Sequence, residues 1–299
     1  MNSLHKTETI NPGFGIRAKA YMALLKARLS FLVAFSSGFG YILGHQGPIN
    51  WFTFFMLCLG GFLVSGAAVT INQIIEVDYD RLMKRTMTRP LPTNILSKVE
   101  AMVYSVFVGA LGLLILLVYT NVMTVALAFI SLLLYSFVYT PLKRVGPIAV
   151  AVGAVPGALP PLLGWTAATG NPFEEAAIIL FLIQFVWQFP HFWAIAWVAD
   201  EDYKKAGFKL LPNKGRKDMR TAFNIMTYAL FLIPLGLIPM QIGITGTISA
   251  VIAVVCGVLF LAQTFRLMRD NSHQSALRIM FGSFIYLPVV QIAFMLDKV

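Results

Sequence analysis

The sequence predicts an all-α integral membrane protein that crosses the bilayer nine times around a central cavity, and three observations carry that prediction. Hydrophobic residues make up 58% of the 299-residue chain and charged residues only 12%, with a mean hydropathy of +0.76. A soluble domain carries about a quarter charged residues and has no core able to absorb so much apolar mass, so the excess must face lipid. The apolar residues fall into nine runs, each near the roughly 20 residues that cross a hydrocarbon core. With the N-terminus on the cytoplasmic side, all but Lys298 of the 23 Lys and Arg residues fall at the cytoplasmic end, as the positive-inside rule requires.

The runs lie at about 29–46, 51–72, 99–119, 121–140, 147–166, 176–199, 221–241, 246–267 and 276–296. A polar arm, residues 1–28, precedes the first. No small-residue cleavage site follows that first run, so it reads as a retained helix rather than a signal peptide. Only Thr120-Asn121 separates the third run from the fourth, and the Pro/Gly-rich stretch Val155 to Gly164 is expected to distort the fifth. Prolines within a span are tolerated where neighbours or water satisfy the freed carbonyls. The whole chain, 1–299, reads as one membrane-embedded domain. Cys58 and Cys256 sit inside apolar runs without metal-ligand spacing, which argues against a disulfide framework or a zinc site. The net charge of +10 belongs to the loops, so it points to a membrane surface and not to nucleic acid.

Two long polar segments at the basic end carry nearly all the ionisable chemistry. In the first, Asn72, Glu76 and Asp80 are spaced by four, along one face of a helix that continues past the span. Oxygen ligands in such a row suit Mg2+, which takes carboxylates, waters and substrate phosphates. Arg85 and Arg89 follow one turn apart, and guanidinium forks match phosphate oxygens. Acidic ligands beside arginines outline a diphosphate site, because a diphosphate leaves a low-dielectric site only when cations take up its charge.

These residues resemble the UbiA superfamily of intramembrane aromatic prenyltransferases, whose first motif reads N-D-x-x-D-x-x-x-D and then K-R-T-x-x-R-P-L. The match comprises Asn72, Asp80, Lys84-Arg85-Thr86 and Arg89-Pro90-Leu91; the departures are Gln73 and Glu76, each where Asp is usual, and an added Asp78. The missing first aspartate and the extra Asp are similar to the heme O synthase branch, the protoheme IX farnesyltransferases. So are Pro190-His191-Phe192-Trp193-Ala194 and Asp202-Tyr203-x-x-Ala206-Gly207 in the second segment. The superfamily has a D-x-x-x-D motif there. This chain has Asp200 and Asp202 instead, leaving Asp202 either as a ligand of a second Mg2+ or as a partner that orients Lys204 or Lys205.

By the same resemblance Lys26 and Arg28 stand in a K-P-R motif with Ala27 replacing proline, and Tyr139, Lys143 and Arg144 stand in a Y-T-x-L-K-R motif. The resemblance assigns them, with Lys84 and Lys205, to substrate binding, and has Lys143 reach the diphosphate. Contact with anionic lipid heads is the other reading of these juxtamembrane cations. His191 lies inside an apolar run, where an ionisable side chain is costly and functional by default. It reads as a heme-iron ligand, a proton carrier or a histidine satisfied by a neighbouring helix. The aromatic cluster Phe185, Trp187, Phe189, Phe192, Trp193 and Trp197 could line a prenyl channel, although packing is the commoner use of such residues.

The resemblance thus implies a UbiA-type fold, Mg2+ as cofactor, farnesyl diphosphate and heme B as substrates, and heme O as product. It leaves open a phenolic or quinone-precursor acceptor and a docked heme-modifying or oxidase-assembly partner. A transporter is the rival outside enzymology, but charges crowded at one end disfavour it, since transport sites lie near the midplane. The compact polar N-terminus points to a prokaryotic plasma membrane.

Overall fold

Polar caps divide the apolar runs. In the computed structural model, which describes residues 13–299, the side chains of Asn50, Asn121, Asp218 and Ser272 each accept a hydrogen bond from the first turn of the helix that follows. Ser97 and Glu100 form a reciprocal capping box. Such caps satisfy orphan N–H groups that lipid cannot. The helices are α1 (Phe14–Leu24), α2 (Ala27–Gly44), α3 (Trp51–Asp80), α4 (Lys98–Tyr119), α5 (Val122–Leu142), α6 (Ile148–Thr169), α7 (Glu175–Val198), α8 (Asp200–Lys205), α9 (Met219–Gln241), α10 (Thr247–Asp270) and α11 (His273–Leu296). Among the described residues nine of them, all but α1 and α8, are long and apolar enough to cross a membrane. Helix α2 packs on α3 and α6, α3 on α4, and α5 on α6; α6 packs on α7, and α7, α9, α10 and α11 follow one another, with α11 returning to α7 and touching α2.

Two features depart from the sequence reading, and a third follows it. The polar arm contains α1, a helix too short to appear as a hydropathy run; residues 1–12 lie outside the described residues. It is held by an Arg17–Glu100 ion pair and by Tyr21 against Tyr104, ring centres 5.0 Å apart. The second span continues to Asp80, two turns past the apolar limit, as the row of four-spaced ligands implied. The fifth span stays helical through Pro156, Pro160 and Pro161.

A proline frees the carbonyl four residues before it, so Pro160 and Pro161 release those of Pro156 and Gly157. Both find side-chain donors. Ser131 Oγ lies 3.4 Å from the Pro156 oxygen, and Gln184 Nε2 donates to that of Gly157 at 2.8 Å. Gln291 Nε2 donates in turn to Gln184 Oε1 at 2.9 Å and to Ser36 Oγ at 3.2 Å, tying α11 to α7 and α2. Interhelical polar contacts of this kind hold membrane bundles together where lipid removes the hydrophobic drive.

Small residues bring α2 and α6 into backbone contact. A Cβ on Gly164 would stand 1.8 Å from the Ser37 carbonyl oxygen, and one on Gly40 would stand 2.0 Å from that of Pro161. A Gly164→Ala substitution must therefore push the helices apart, at a cost of about 1–3 kcal/mol. The expected result is a lower Tm in detergent; an unchanged Tm would show that the crossing has slack.

Candidate active site

The end of α3 sets the site. Asn72, Glu76 and Asp80 are all buried on its inner face, and each lines a cavity of about 490 Å³ walled by α2, α3, α5, α6, α7 and α11. Thr86 Oγ1 donates to the main-chain carbonyl of Asp80 at 2.8 Å, capping an orphan carbonyl of the helix end. That turn returns Arg89, whose Nη1 donates to Asp80 Oδ2 at 2.7 Å. Lys143, in the turn after α5, pairs with Glu76 Oε1 at 2.8 Å, yet that oxygen is poorly aligned for a hydrogen bond and Asp80 Oδ1 takes none. Two buried carboxylate oxygens are thus incompletely satisfied, which is costly unless a further cation serves them.

Asn72 completes the row. Its Nδ2 donates to Thr140 Oγ1 at 2.9 Å, and Thr140 donates to the Tyr135 carbonyl at 2.8 Å. The single hydroxyl proton of Thr140 is committed to a carbonyl, so Thr140 must accept from Asn72. The amide oxygen of Asn72 is left for another partner. Thr140 lies just after the π-helical turns Leu134–Tyr139 of α5, a local widening common at functional sites. Among the described residues no group of three His, Cys, Asp or Glu side chains gathers as a metal site. One amide and two carboxylates with incompletely satisfied oxygens suit Mg2+, which keeps waters and takes phosphate oxygens for the rest of its shell.

Lys26, Arg85 and Tyr139 also line the cavity. Lys26 caps α2 in the left-handed region, φ 43°, where the chain breaks between α1 and α2. Burial, with Arg89 and Lys143 nearby, pulls its amine down to about 7. Lys143 Nζ stands 4.8 Å from the Tyr139 ring centre.

Deeper in the cavity, His191 Nδ1 lies 2.8 Å from Ser283 Oγ, which itself donates to the Met280 carbonyl at 2.7 Å. As with Thr140, the hydroxyl proton is spoken for, so neutral His191 carries its proton on Nδ1 and keeps a lone pair on Nε2. Trp187 stacks on the imidazole at 4.3 Å and donates its own Nε1 to the Ser283 carbonyl at 3.1 Å. Ser283 therefore fixes both rings.

The remaining predicted residues lie outside the cavity lining. Arg28 and Lys84 are exposed. Arg144 is also exposed and stacks over Tyr79 at 4.7 Å. Asp202 accepts main-chain N–H bonds from Lys84 and Arg85, at 3.3 and 3.2 Å, and pairs with Lys205 at 3.6 Å. Burial opposes its charge, but the two amides and Lys205 hold its carboxyl below the ordinary carboxylate range. Of the aromatic cluster only Trp187 and Phe192 line the cavity; Phe189 and Trp193 pack against Tyr228 of α9 instead.

The motif departures also find places. Gln73 Nε2 donates to the Leu24 carbonyl at 2.8 Å at the α1–α2 break, and Asp78 faces outward to Arg81 and Lys98. Sequence reasoning missed Thr86, Thr140 and Ser283. The first two sit inside the motifs, and Ser283 is a polar residue within an apolar span, a signal weighed only for His191.

An all-helical membrane bundle with a carboxylate row and facing cations at one end of an interior cavity is the architecture of an intramembrane prenyltransferase. Residues 32–287 match the UbiA prenyltransferase family, and the chain belongs to it. It is 53% identical to the protoheme IX farnesyltransferase of Cytophaga hutchinsonii over 94% of this chain and 98% of that one. The fold is shared with a digeranylgeranylglyceryl phosphate synthase (TM-score 0.78, 21% identity, 94% and 98% of the two chains). It is shared too with a UbiA homolog from Archaeoglobus fulgidus bound to DMAPP and Mg2+ (TM-score 0.64, 18% identity, 92% and 98%).

The Glu76–Lys143 pair has side chains only 6% and 11% exposed. Lys143→Met should therefore strand a buried carboxylate and cost about 3–5 kcal/mol. The double variant Glu76→Gln/Lys143→Met should recover most of that loss. Thermal unfolding of the three proteins in detergent checks it; equal losses in single and double variants would show that the pair is not coupled.

Proposed function

We propose that this chain transfers the farnesyl group of farnesyl diphosphate to a vinyl group of heme B, giving heme O and diphosphate. It would do so as a single-domain, multi-pass protein of a bacterial plasma membrane, with its N-terminus and the diphosphate site on the cytoplasmic side. The observation that carries the reaction class is the buried row Asn72, Glu76 and Asp80 facing Arg85, Arg89 and Lys143 across one end of the cavity. The farnesyl donor and heme acceptor are supported by the name of the relative at 53% identity. The side assignment is supported by the Lys and Arg distribution.

Mg2+, held by the Asn72 oxygen, Glu76 and Asp80, would supply positive charge to the departing diphosphate; a fold relative bound to DMAPP and Mg2+ supports the choice of ion. The chain does the rest. Arg89 and Lys143 exchange their carboxylate partners for diphosphate oxygens, and Arg85 adds a third cation. The prenyl tail lies among the apolar walls of α2, α3 and α7, which exclude water from the reacting carbon. The C1–O bond of the donor breaks, C1 joins the terminal vinyl carbon, and water adds to the resulting cation with loss of a proton. His191 presents its Nε2 lone pair to the acceptor, as an iron ligand or as the acceptor of that proton.

Purified protein incubated with Mg2+ and labelled farnesyl diphosphate, with heme B or a 4-hydroxybenzoate-type acceptor, tests the reading. Labelled heme O is the expected product; a prenylated phenol, or no transfer to either, would overturn it. Asp80→Ala and Arg89→Ala should each abolish product while leaving the protein folded in membranes, and chelation of Mg2+ should do the same to the parent.

Lys26 adds a pH dependence. Its amine, pulled down to about 7, is mostly neutral at pH 8, whereas a bound diphosphate favours the ammonium and raises its pKa. Binding at pH 8 should thus take up a proton. Affinity should fall as pH rises above 7, by up to about tenfold per unit. Calorimetric heats of binding in two buffers of different ionisation enthalpy should differ for the parent and converge in Lys26→Met.

A further inference from the structure

The segment from α8 to Leu211 lends Tyr203, Phe208 and Leu210 to the cavity wall, and it holds cations of the site by their backbones. Asp202 accepts the consecutive main-chain N–H groups of Lys84 and Arg85, one on each carboxylate oxygen. The next residue, Tyr203, lies under the Arg85 guanidinium at 5.9 Å, and both line the cavity. Met83 packs with Ala206 and Phe208. Beyond the turn, Lys209 N–H donates to the main-chain carbonyl of Lys143 at 2.9 Å. Two of the three phosphate-facing cations therefore depend on one strut, and Asp202 is the polar side chain that joins it to the turn after α3. Asp202 itself does not line the cavity.

We propose that Asp202 is a positioning residue, a clamp that fixes the Lys84–Arg85 backbone so that Arg85 reaches the diphosphate, and that it is not a ligand of a second metal ion. The clamp rests on the diphosphate reading above. A turn of consecutive peptide N–H groups with nothing to accept from it would swing toward water, and the arginine would swing with it. A carboxylate is the side chain suited to take two neighbouring amides at once. In this chain the second acidic segment thereby organises the first one's arginine, and metal binding stays with α3.

The test uses full-length purified protein, farnesyl thiodiphosphate as a slowly reacting donor analogue, and Mn2+ as a countable stand-in for Mg2+. With saturating Mg2+, Asp202→Ala should weaken analogue binding about tenfold, the worth of one good hydrogen bond. Asp202→Asn, which keeps one acceptor oxygen, should fall between. The number of Mn2+ ions bound with the analogue, read by electron paramagnetic resonance, should match the parent in both. Arg85→Ala/Asp202→Ala should bind no more weakly than Arg85→Ala alone, because the clamp acts through Arg85. Loss of one Mn2+ in Asp202→Asn would make Asp202 a ligand and overturn the clamp. Parent-like analogue affinity in Asp202→Ala, or additive losses in the double variant, would overturn it too. Failure of the parent itself to bind the analogue would sink the diphosphate site as a whole, a different outcome from any of these. Asp202→Asn, isosteric with the parent residue, keeps the comparison available if Asp202→Ala does not fold.

Discussion

Charge buried without water must be answered by charge, and that constraint shapes the whole basic end of this protein. Glu76 and Asp80 sit on α3 with side chains 6% and 1% exposed, where an unpaired carboxylate would lose several kcal/mol of hydration. The chain answers from two separate turns. Arg89 comes back from the turn capped by Thr86, and Lys143 comes from the end of α5. The neutralisation is incomplete by geometry, with Asp80 Oδ1 and Glu76 Oε1 short of hydrogen bonds. An arrangement optimised for stability alone would close those gaps. A site meant to receive a metal with a polyanion would leave them, because the incoming pair is self-compensating: the metal takes the carboxylates while the phosphates take the cations.

A second device recurs twice. Thr140 and Ser283 each spend their only proton on a main-chain carbonyl, and each then dictates the orientation of a functional side chain. One turns the oxygen of Asn72 loose, and the other puts the lone pair of His191 on Nε2. In hydrocarbon surroundings a hydroxyl has no water with which to trade partners, so a choice that would average out at a soluble surface becomes fixed. Neither residue lines the cavity; both orient side chains to which the proposed mechanism assigns a role.

Much of this was legible in the sequence, and the limits have physical reasons. Span number followed from apolar run length, and the inner face of α3 followed from spacing by four. Helix α1 escaped because 11 residues with Arg17 and Lys19 make no hydropathy signal. The continuity of α6 escaped because its repair comes from Ser131 and Gln184 on other helices, and a local reading sees the prolines without their donors. Arg28, Lys84 and Arg144 share motifs with cavity-lining residues yet stand outside the lining; motifs mark a segment, whereas a helix or turn sends adjacent residues to different faces.

The same divergence between neighbouring residues accommodates this sequence's departures from the usual first motif. Position 73 lies one residue past Asn72, about 100° around the helix, so a carboxylate there would face the α1–α2 break and the Leu24 carbonyl, an acceptor it could only repel. Glutamine brings an N–H instead, and donates it. Position 78 falls between the two ligand turns on the outer face, where Asp78 meets Arg81 and Lys98 in water and adds little energy. Glu76 keeps the carboxylate at the inner face with one more methylene, long enough to reach Lys143 across the gap to α5. The departures therefore fall where α3 turns away from the cavity, or preserve the carboxylate where it turns toward it. The helical phase, more than the identity of each acidic letter, is what the site requires.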